Sequence, residues 1–229
     1  MPWKALPIWE GGECWIIGGG KSMPEQFNIT PDIIDQVCLG RLPPSAYSPY
    51  MESIHDRHII GINNIYQIGT WIDVVFFGDS SWHLKHRRIL AQWPGLKVSC
   101  SPKFAKRKRE NSEGIKFLAK DTEHRLGISG NPSKVAWNGN SGGAAISLAG
   151  HFGVKKIFLL GFDMNAQGKH THWHGSHGGV KPPPFKRHLR GFPAIASDAK
   201  KMGIEILNVS KKSAIDVFQK ITLDEALNG

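Results

Sequence analysis

The sequence predicts a Rossmann-like α/β domain, with a mostly parallel central sheet and helices on both faces. Short apolar runs such as Cys14–Ile17 and Trp71–Phe77 are typical of strands that are buried on both faces of a parallel sheet. These runs alternate with stretches of helical periodicity, as in βαβ units. Several of the runs end in Gly, Asn or Asp, at the side of an open α/β sheet where ligands bind.

The first half of the chain is predicted to contain four strands and two helices. The strands are expected at Cys14–Ile17, Arg57–Ile62, Trp71–Phe77 and Leu96–Cys100. The helices are expected at Pro31–Leu39, with Thr30 as N-cap, and at Trp82–Trp93, capped by Ser80 or Ser81. The exposed face of the second helix is expected to carry five basic side chains: His83, Lys85, His86, Arg87 and Arg88. Residues 41–50 are predicted to form a loop, and residues 113–133 have too weak a periodicity to assign.

The second half is organised around the stretch Trp137–Met164. A polar turn at 138–143 precedes an expected helix at Ala144–Phe152 and a strand at Lys156–Phe162. A helix at Phe192–Met202, a strand at Ile204–Val209 and a capping-box helix at Thr222–Leu227 complete the prediction. Residues 1–229 are therefore expected to form a single nucleotide-binding domain, with 1–13 as an N-terminal arm and 166–186 as a His-rich lid loop.

Composition favours a cytoplasmic protein that binds an anionic partner. The 229 residues carry a formal net charge of +10, which suits nucleotides or nucleic acid. Three cysteines without paired spacing argue against a disulfide framework. The chain shows neither an apolar run of transmembrane length nor an export leader, so membrane insertion and secretion are not expected.

Two glycine-rich turns are candidates for phosphate binding. Residues Asn138–Gly143 open a predicted helix, whose unpaired N–H groups and dipole favour an anion. Residues Gly18–Ser22 follow the first strand, either as a phosphate-facing loop with Lys21 as an anion contact or as a tight turn that packs on the next strand. Neither standard fingerprint fits this loop, because a dinucleotide loop needs Gly at Met23 and a P-loop needs Gly at Trp15.

Polar residues at the ends of the predicted strands should converge on one crevice. The carboxyl ends of parallel strands share one edge of the sheet. One loop, three strand ends and one turn should therefore lie close together. Their residues are Gly18, Gly20, Lys21 and Ser22 of the loop, Asn63, Asp79 and Asp163 at the strand ends, and Asn140, Ser141 and Gly142 of the turn. These residues are the nucleotide-binding candidates, and Asp163 is also a candidate for catalysis.

The loop at 166–186 is rich in histidine. The segment HTHWHGSH contains four histidines: His170, His172, His174 and His177. Alternating histidines of an extended segment can bind a metal, but no Cys, Asp or Glu lies within this run. A single His acting as a general base near neutral pH is the alternative that we prefer, so no metal is assigned.

A dense basic run follows the fourth predicted strand. It contains Lys103, Lys106, Arg107, Lys108 and Arg109. Such a run forms either a solvated loop or a contact with nucleic acid.

Four blocks of the chain resemble a known group of proteins: IIGGGKSM, GINNIY, VVFFGDSSW and NSGGAAISLAGHFGVKKIFLLGFDM. Their order and spacing resemble the Rossmann-like bacterial lipooligosaccharide sialyltransferases and the related hydroxymethylpterin pyrophosphokinase-like proteins, and more closely phage and prophage proteins of that group. The resemblance implies a site for a nucleotide of the cytidine type. The residues that would hold it are Gly18, Gly20, Ser22, Asn63, Asn140, Ser141 and Gly142. It also implies that His177 or His174 is the general base, while Lys21 replaces the usual Pro of the first loop.

The function expected from these observations is that of a nucleotide-binding transferase similar to glycosyltransferases. It would move a group from an activated nucleotide to an acceptor hydroxyl and would require no further cofactor. Two alternatives stay open. One is a non-catalytic phage protein that binds nucleotides or nucleic acid. The other is a pyrophosphokinase-like enzyme with Mg²⁺ held by Asp79 and Asp163.

Overall fold

A parallel sheet forms the centre of the computed structural model, which describes residues 2–105, 114–165, 172–175 and 184–229. Its strands lie in the order β10-β9-β8-β1-β2-β3-β4-β5, and each pairing between neighbours is parallel. The remaining two strands, β6 and β7, form a separate parallel pair. The strands are β1 (Glu13–Ile17), β2 (Ile59–Ile62), β3 (Val74–Phe77), β4 (Leu96–Ser99), β5 (Lys116–Phe117), β6 (Ala119–Asp121), β7 (Lys134–Ala136), β8 (Lys156–Leu160), β9 (Glu205–Asn208) and β10 (Gln219–Lys220).

Helices cover both faces of this sheet. They are α1 (Ser22–Gln26), α2 (Pro31–Cys38), α3 (Ser80–Gln92), α4 (Ser141–His151), α5 (Phe185–Leu189), α6 (Phe192–Met202) and α7 (Leu223–Asn228). On one face, α4 and α6 pack into a core that contains Ile16 and Leu159. On the other face, α2, α3 and a 3₁₀ helix at Pro44–Ile54 pack around Trp15 and Leu160. The predicted fold class, a Rossmann-like α/β domain with a parallel sheet, is thus confirmed.

The order in which strands are added to the sheet changes direction between β1 and β8, which are themselves parallel. Strands β1 to β5 follow one another on one side, whereas β8, β9 and β10 extend the sheet on the other side. Ile17 at the end of β1 pairs with Leu160 at the end of β8. In open α/β sheets a reversal of this kind leaves a crevice outside the carboxyl ends of the strands, and ligands bind there.

Three details of the sequence prediction were wrong, and one unassigned region contains strands. Residues 44–54 form a 3₁₀ helix where a loop was expected. Asp79, not Ser80 or Ser81, is the N-cap of α3, because its extended backbone lets its carboxylate accept the Ser81 N–H at 2.8 Å. His83 is not exposed, since α3 turns it against Phe77 with ring centroids 5.7 Å apart. The unassigned region 113–133 contains β5 and β6, which are too short to show a period.

The amino-terminal residues lie along the domain. The N–H of Trp3 donates to the carbonyl of Phe117, and the N–H of Trp9 donates to the carbonyl of Phe152 after α4. The Trp9 ring stacks on His58 with centroids 4.7 Å apart. Across the described parts of the chain, no helix combines the length and apolar character needed to cross a bilayer.

Candidate functional site

The glycine loop after β1 packs tightly against the residues that follow β8. The N–H groups of Gly18 and Gly20 donate to the carbonyls of Leu160 and Gly161, at 2.7 and 2.8 Å. A Cβ on Gly20 would lie 2.5 Å from the Gly161 oxygen and 2.6 Å from Asp163 Cγ. The backbone of this loop therefore packs as a tight turn, as one of the two alternatives predicted. It packs on the end of β8, not on the next strand along the chain.

Ser22 and Asp163 connect these two loops. The Ser22 hydroxyl donates to Asp163 Oδ1 at 2.5 Å, and the Ser22 N–H donates to Oδ2 at 3.0 Å. Ser210, which follows β9, donates its hydroxyl to Ser22 Oγ at 3.3 Å. Only about 5% of either Ser22 or Asp163 is exposed. Because both carboxylate oxygens of Asp163 accept hydrogen bonds, the Ser22–Asp163 pair fixes the loops after β1 and β8 relative to each other. Lys21, directly before Ser22, is half-exposed.

Asn63 has a left-handed backbone conformation at the end of β2. Its φ is +52°, in a region that Asn adopts more readily than most other non-glycine residues. Its side-chain Oδ1 is buried and has no hydrogen-bond partner within the described chain. A buried acceptor without a donor is costly. Asn63 is therefore a candidate for contact with a ligand.

The N-terminus of α4 lies at the same edge. Asn140 caps the helix, since its Oδ1 accepts the Gly142 N–H at 3.0 Å. Its Nδ2 is buried without an acceptor among the described residues. A Cβ on Gly142 would lie 2.7 Å from the Phe162 ring, so the start of α4 packs directly on the residues after β8. The half-exposed Ser141 stands at the first position of the helix.

The strand order brings most of the predicted site residues together. Strands β8, β1, β2 and β3 are direct neighbours, so the residues that follow them share one edge: Asp163, Gly18, Asn63 and Asp79. Asp79 is exposed on this edge, and Gly78 before it lies against the ring of Trp137. The Lys120 ammonium lies 4.3 Å from the centroid of Trp137. This cation–π pair forms the outer wall of the crevice next to Asn138–Asn140.

The sequence prediction missed the contribution of α5. Asn138 Nδ2 donates to the carbonyl of His188 at 3.2 Å, which holds α5 against the turn before α4. The imidazole of His188 hydrogen-bonds the backbone of Gly139, and its Nε2 is buried without a partner in the described structure. Burial and the nearby Arg187 charge lower the pKa of His188. The signal that was available is the basic segment FKRHL directly before the predicted helix at 192–202.

Part of the histidine loop reaches the crevice. A Cβ on Gly19 would lie 2.9 Å from the ring of His172, and the N–H of Trp173 donates to the Gly19 carbonyl at 3.2 Å. Trp173 is fully buried against Tyr47, whose hydroxyl donates to the Trp173 carbonyl. The half-exposed His174 follows, on the face of the sheet opposite α4. His170 and His177 lie outside the described residues.

The remaining predicted contacts are only partly described. Within the described ranges, no three His, Cys, Asp or Glu side chains gather as a metal site would require. The two carboxylates of the Mg²⁺ alternative each accept hydrogen bonds from serine, Asp79 from Ser81 and Asp163 from Ser22. Lys103 is exposed at the end of a short 3₁₀ helix, while Lys106, Arg107, Lys108 and Arg109 lie outside the described residues.

Ser22 also borders an open groove of about 370 Å³. The groove lies between α1, the residues after β9 and the start of α7. Its lining includes Gln26, Asn28, Lys211, Lys212, Thr222 and Asp224. The Lys212 ammonium pairs with Glu25 at 3.4 Å across the groove. A groove of this size can hold a small polar molecule.

The solved structures that share this fold include two glycosyltransferases. The MAf glycosyltransferase from Magnetospirillum magneticum AMB-1 has a TM-score of 0.56 and 10% sequence identity, over 96% of this chain and 35% of that one. The sialyltransferase CstII from Campylobacter jejuni, solved with the substrate analogue cytidine-5′-monophosphate, has a TM-score of 0.54 and 14% identity, over 96% of this chain and 88% of that one. This chain thus spans about a third of the Magnetospirillum protein. No protein-family profile matches the sequence, and no curated protein matches it.

These comparisons bear on the fold alone, given the low identity. Both neighbours are glycosyltransferases, in line with the sialyltransferase part of the sequence resemblance. Neither neighbour is a pyrophosphokinase or a phage protein, so those parts of the resemblance stay predictions.

Proposed function

We propose that this protein is a nucleotide-binding transferase of the glycosyltransferase type, which uses an activated nucleotide as donor. The observation that carries the proposal is the pair Asn63 and Asn140, of which Asn63 follows β2 and Asn140 caps α4 at the carboxyl edge of the sheet. Each side chain has a buried polar atom without a partner among the described residues. Since stable folds pair nearly all such atoms, two of them at one crevice indicate a polar ligand.

In this proposal the nucleotide lies across the ends of β1, β2 and β8. Asn63 Oδ1 accepts a hydrogen bond from the base or ribose, and the first turn of α4 binds the phosphate. Ser141 contributes its N–H at the start of that turn, and Gly142 contributes by allowing α4 to pack closely on Phe162. Gly18, Gly20 and Ser22 shape the floor by packing on the end of β8. The sialyltransferase neighbour was solved with cytidine-5′-monophosphate, which supports a cytidine nucleotide as the first donor to test.

The transfer step requires a base and a stabilised leaving group. An acceptor hydroxyl oxygen attacks the anomeric carbon of the donor and forms the new C–O bond. The bond between that carbon and the phosphate oxygen breaks, and the nucleotide leaves with the bonding electrons. A neutral His takes the hydroxyl proton, and the α4 N–H groups stabilise the negative charge on the departing phosphate.

Three histidines are candidates for the base. His177 and His174 follow from the sequence resemblance, and His174 lies half-exposed next to the segment that covers Gly19. His188 is a candidate from the structure, because it lies on the α4 side of the edge and its buried Nε2 has no partner among the described residues. Its lowered pKa favours the neutral form that a base needs at pH 7.

The experiment is a donor-cleavage assay, in which the release of nucleotide is followed from CMP-linked and UDP-linked sugars, with and without simple saccharide acceptors. We expect release from at least one donor class. Replacing the base should lower turnover by about a hundredfold or more while donor binding stays near normal, and comparing H174A, H177A and H188A identifies it. Mg²⁺-dependent use of ATP, or salt-sensitive DNA binding without turnover, would instead support one of the two alternatives.

A further inference from the structure

The turn before α4 carries a guanidinium group that the sequence prediction did not assign. Arg187 of α5 lies over Gly139, so that a Cβ on Gly139 would lie 2.9 Å from Arg187 Nη2, 3.2 Å from Cζ and 3.3 Å from Nε. The φ of Gly139 is +85°, so the backbone conformation favours glycine at this position. The guanidinium therefore lies one residue before the cap of the helix.

The backbone of α5, which carries Arg187, is held against the turn before α4. Asn138 Nδ2 donates to the His188 carbonyl, and the His188 ring hydrogen-bonds the Gly139 backbone, so two contacts hold α5 against the turn. Arg187 is nevertheless exposed. Among the described residues, no carboxylate lies within 4.0 Å of it as an ion-pair partner.

Several donors at the start of α4 have no protein acceptor among the described residues. The first intrahelical bond of α4 joins the Ala144 N–H to the Asn140 carbonyl, and the Gly142 N–H is used by the Asn140 cap. The N–H groups of Ser141 and Gly143 have no protein acceptor in the described structure. Asn140 Nδ2 is a further donor without an acceptor there, on a side chain that is only 5% exposed. This buried side-chain amide is a donor in addition to the N–H groups of the helix, and it favours a ligand rich in acceptors.

We propose that Arg187 binds the donor's phosphate, together with Asn140 Nδ2 and the first N–H groups of α4. The proposal rests on the proposed function, since it assigns a residue to the phosphate of the same nucleotide. A guanidinium presents a planar pair of N–H donors that matches two phosphate oxygens. Arg187 then holds the leaving phosphate beside the helix N-terminus, where it offsets the charge that develops on transfer.

The test compares a nucleotide with its nucleoside. Binding of CMP and of cytidine is measured by titration calorimetry for the parent protein and for R187Q, R187K and K186Q. Lys186 is the matched control, because it is an exposed cation on the same short helix. We expect R187Q to weaken CMP binding by about ten- to a hundredfold and to leave cytidine binding unchanged. R187K should lie between the parent and R187Q, and K186Q should match the parent.

Two results would overturn the assignment while leaving the proposed function standing. One is equal CMP affinity in the parent and R187Q. The other is an equal loss of CMP and cytidine affinity in R187Q together with a lower Tm, which would show that Arg187 only packs on Gly139. If the parent binds none of CMP, UMP, AMP and GMP, both the assignment and the proposed function fall.

Discussion

Replacing Asn63 by Gly tests whether its buried amide oxygen binds a ligand or stabilises the fold. Gly adopts a φ of +52° without steric cost, and the substitution removes a buried acceptor that has no partner in the described structure. An orphaned buried acceptor costs about 1–3 kcal/mol. The added flexibility of Gly in the unfolded chain costs about 0.4–1 kcal/mol.

The balance of these two effects predicts a free energy of unfolding for N63G that is unchanged or higher, by up to about 2 kcal/mol. In a domain of this size each kcal/mol shifts Tm by about 2–4 °C, so Tm should stay constant or rise by a few degrees. Nucleotide affinity should change in the opposite sense and fall by about tenfold, because the ligand loses a hydrogen bond at Asn63.

The assay combines thermal denaturation with CMP titration, and Asn28 provides the matched control. Asn28 has a φ of +54° but is exposed and lies beside the groove, away from α4. N28G should therefore keep both Tm and CMP affinity close to the parent values. A Tm lowered by several degrees in N63G, or an undiminished CMP affinity, would refute the assignment of Asn63 to the ligand.

Further predictions concern stability and its dependence on pH. S22A removes the hydroxyl that donates to the buried Asp163, so the free energy of unfolding should fall by about 1–3 kcal/mol in denaturant titrations. S81A, at an exposed hydroxyl, should change it by less than about 0.5 kcal/mol, and equal effects of the two would contradict the structural role of the Ser22–Asp163 pair. The pKa of His188 is lowered in the folded protein, so below about pH 6.5 the unfolded chain binds more protons, and stability should fall as the pH is lowered through that value. H188Q should flatten the profile of Tm against pH between about pH 7 and 5. An unchanged profile would show that the ring is solvated.

The sequence predicted the sheet well because buried parallel strands carry a strong local signal. Runs such as Val74–Phe77 and Lys156–Leu160 are apolar on both faces, so the pattern identified them even where the bounds shifted by a few residues. Strand β5 has only two residues and lies at the edge of the sheet, where one face needs no apolar side chain. Its pairing is set by contacts distant in sequence, which periodicity does not record.

The site was predictable in location but less so in the role of each residue. Glycine-rich turns mark close approach, but the sequence does not say whether a ligand or the protein approaches. At Gly20 and Gly142 the neighbour is protein, namely the residues that follow β8. A Val at Gly142 would clash with Phe162, so G142V should disturb the packing of α4 as well as any ligand. Arg187 is distant in sequence from Gly139, and only the packing of α5 brings them together.

A crystal structure of the protein soaked with CMP tests the central claim most directly. We predict that the nucleotide lies at the carboxyl edge above β1, β2 and β8. Its phosphate should lie within hydrogen-bond distance of the Ser141 N–H and the Arg187 guanidinium, and Asn63 Oδ1 should have gained a donor. A nucleotide bound in the groove beside Lys211 and Lys212, or an unchanged crevice at millimolar CMP, would contradict the account.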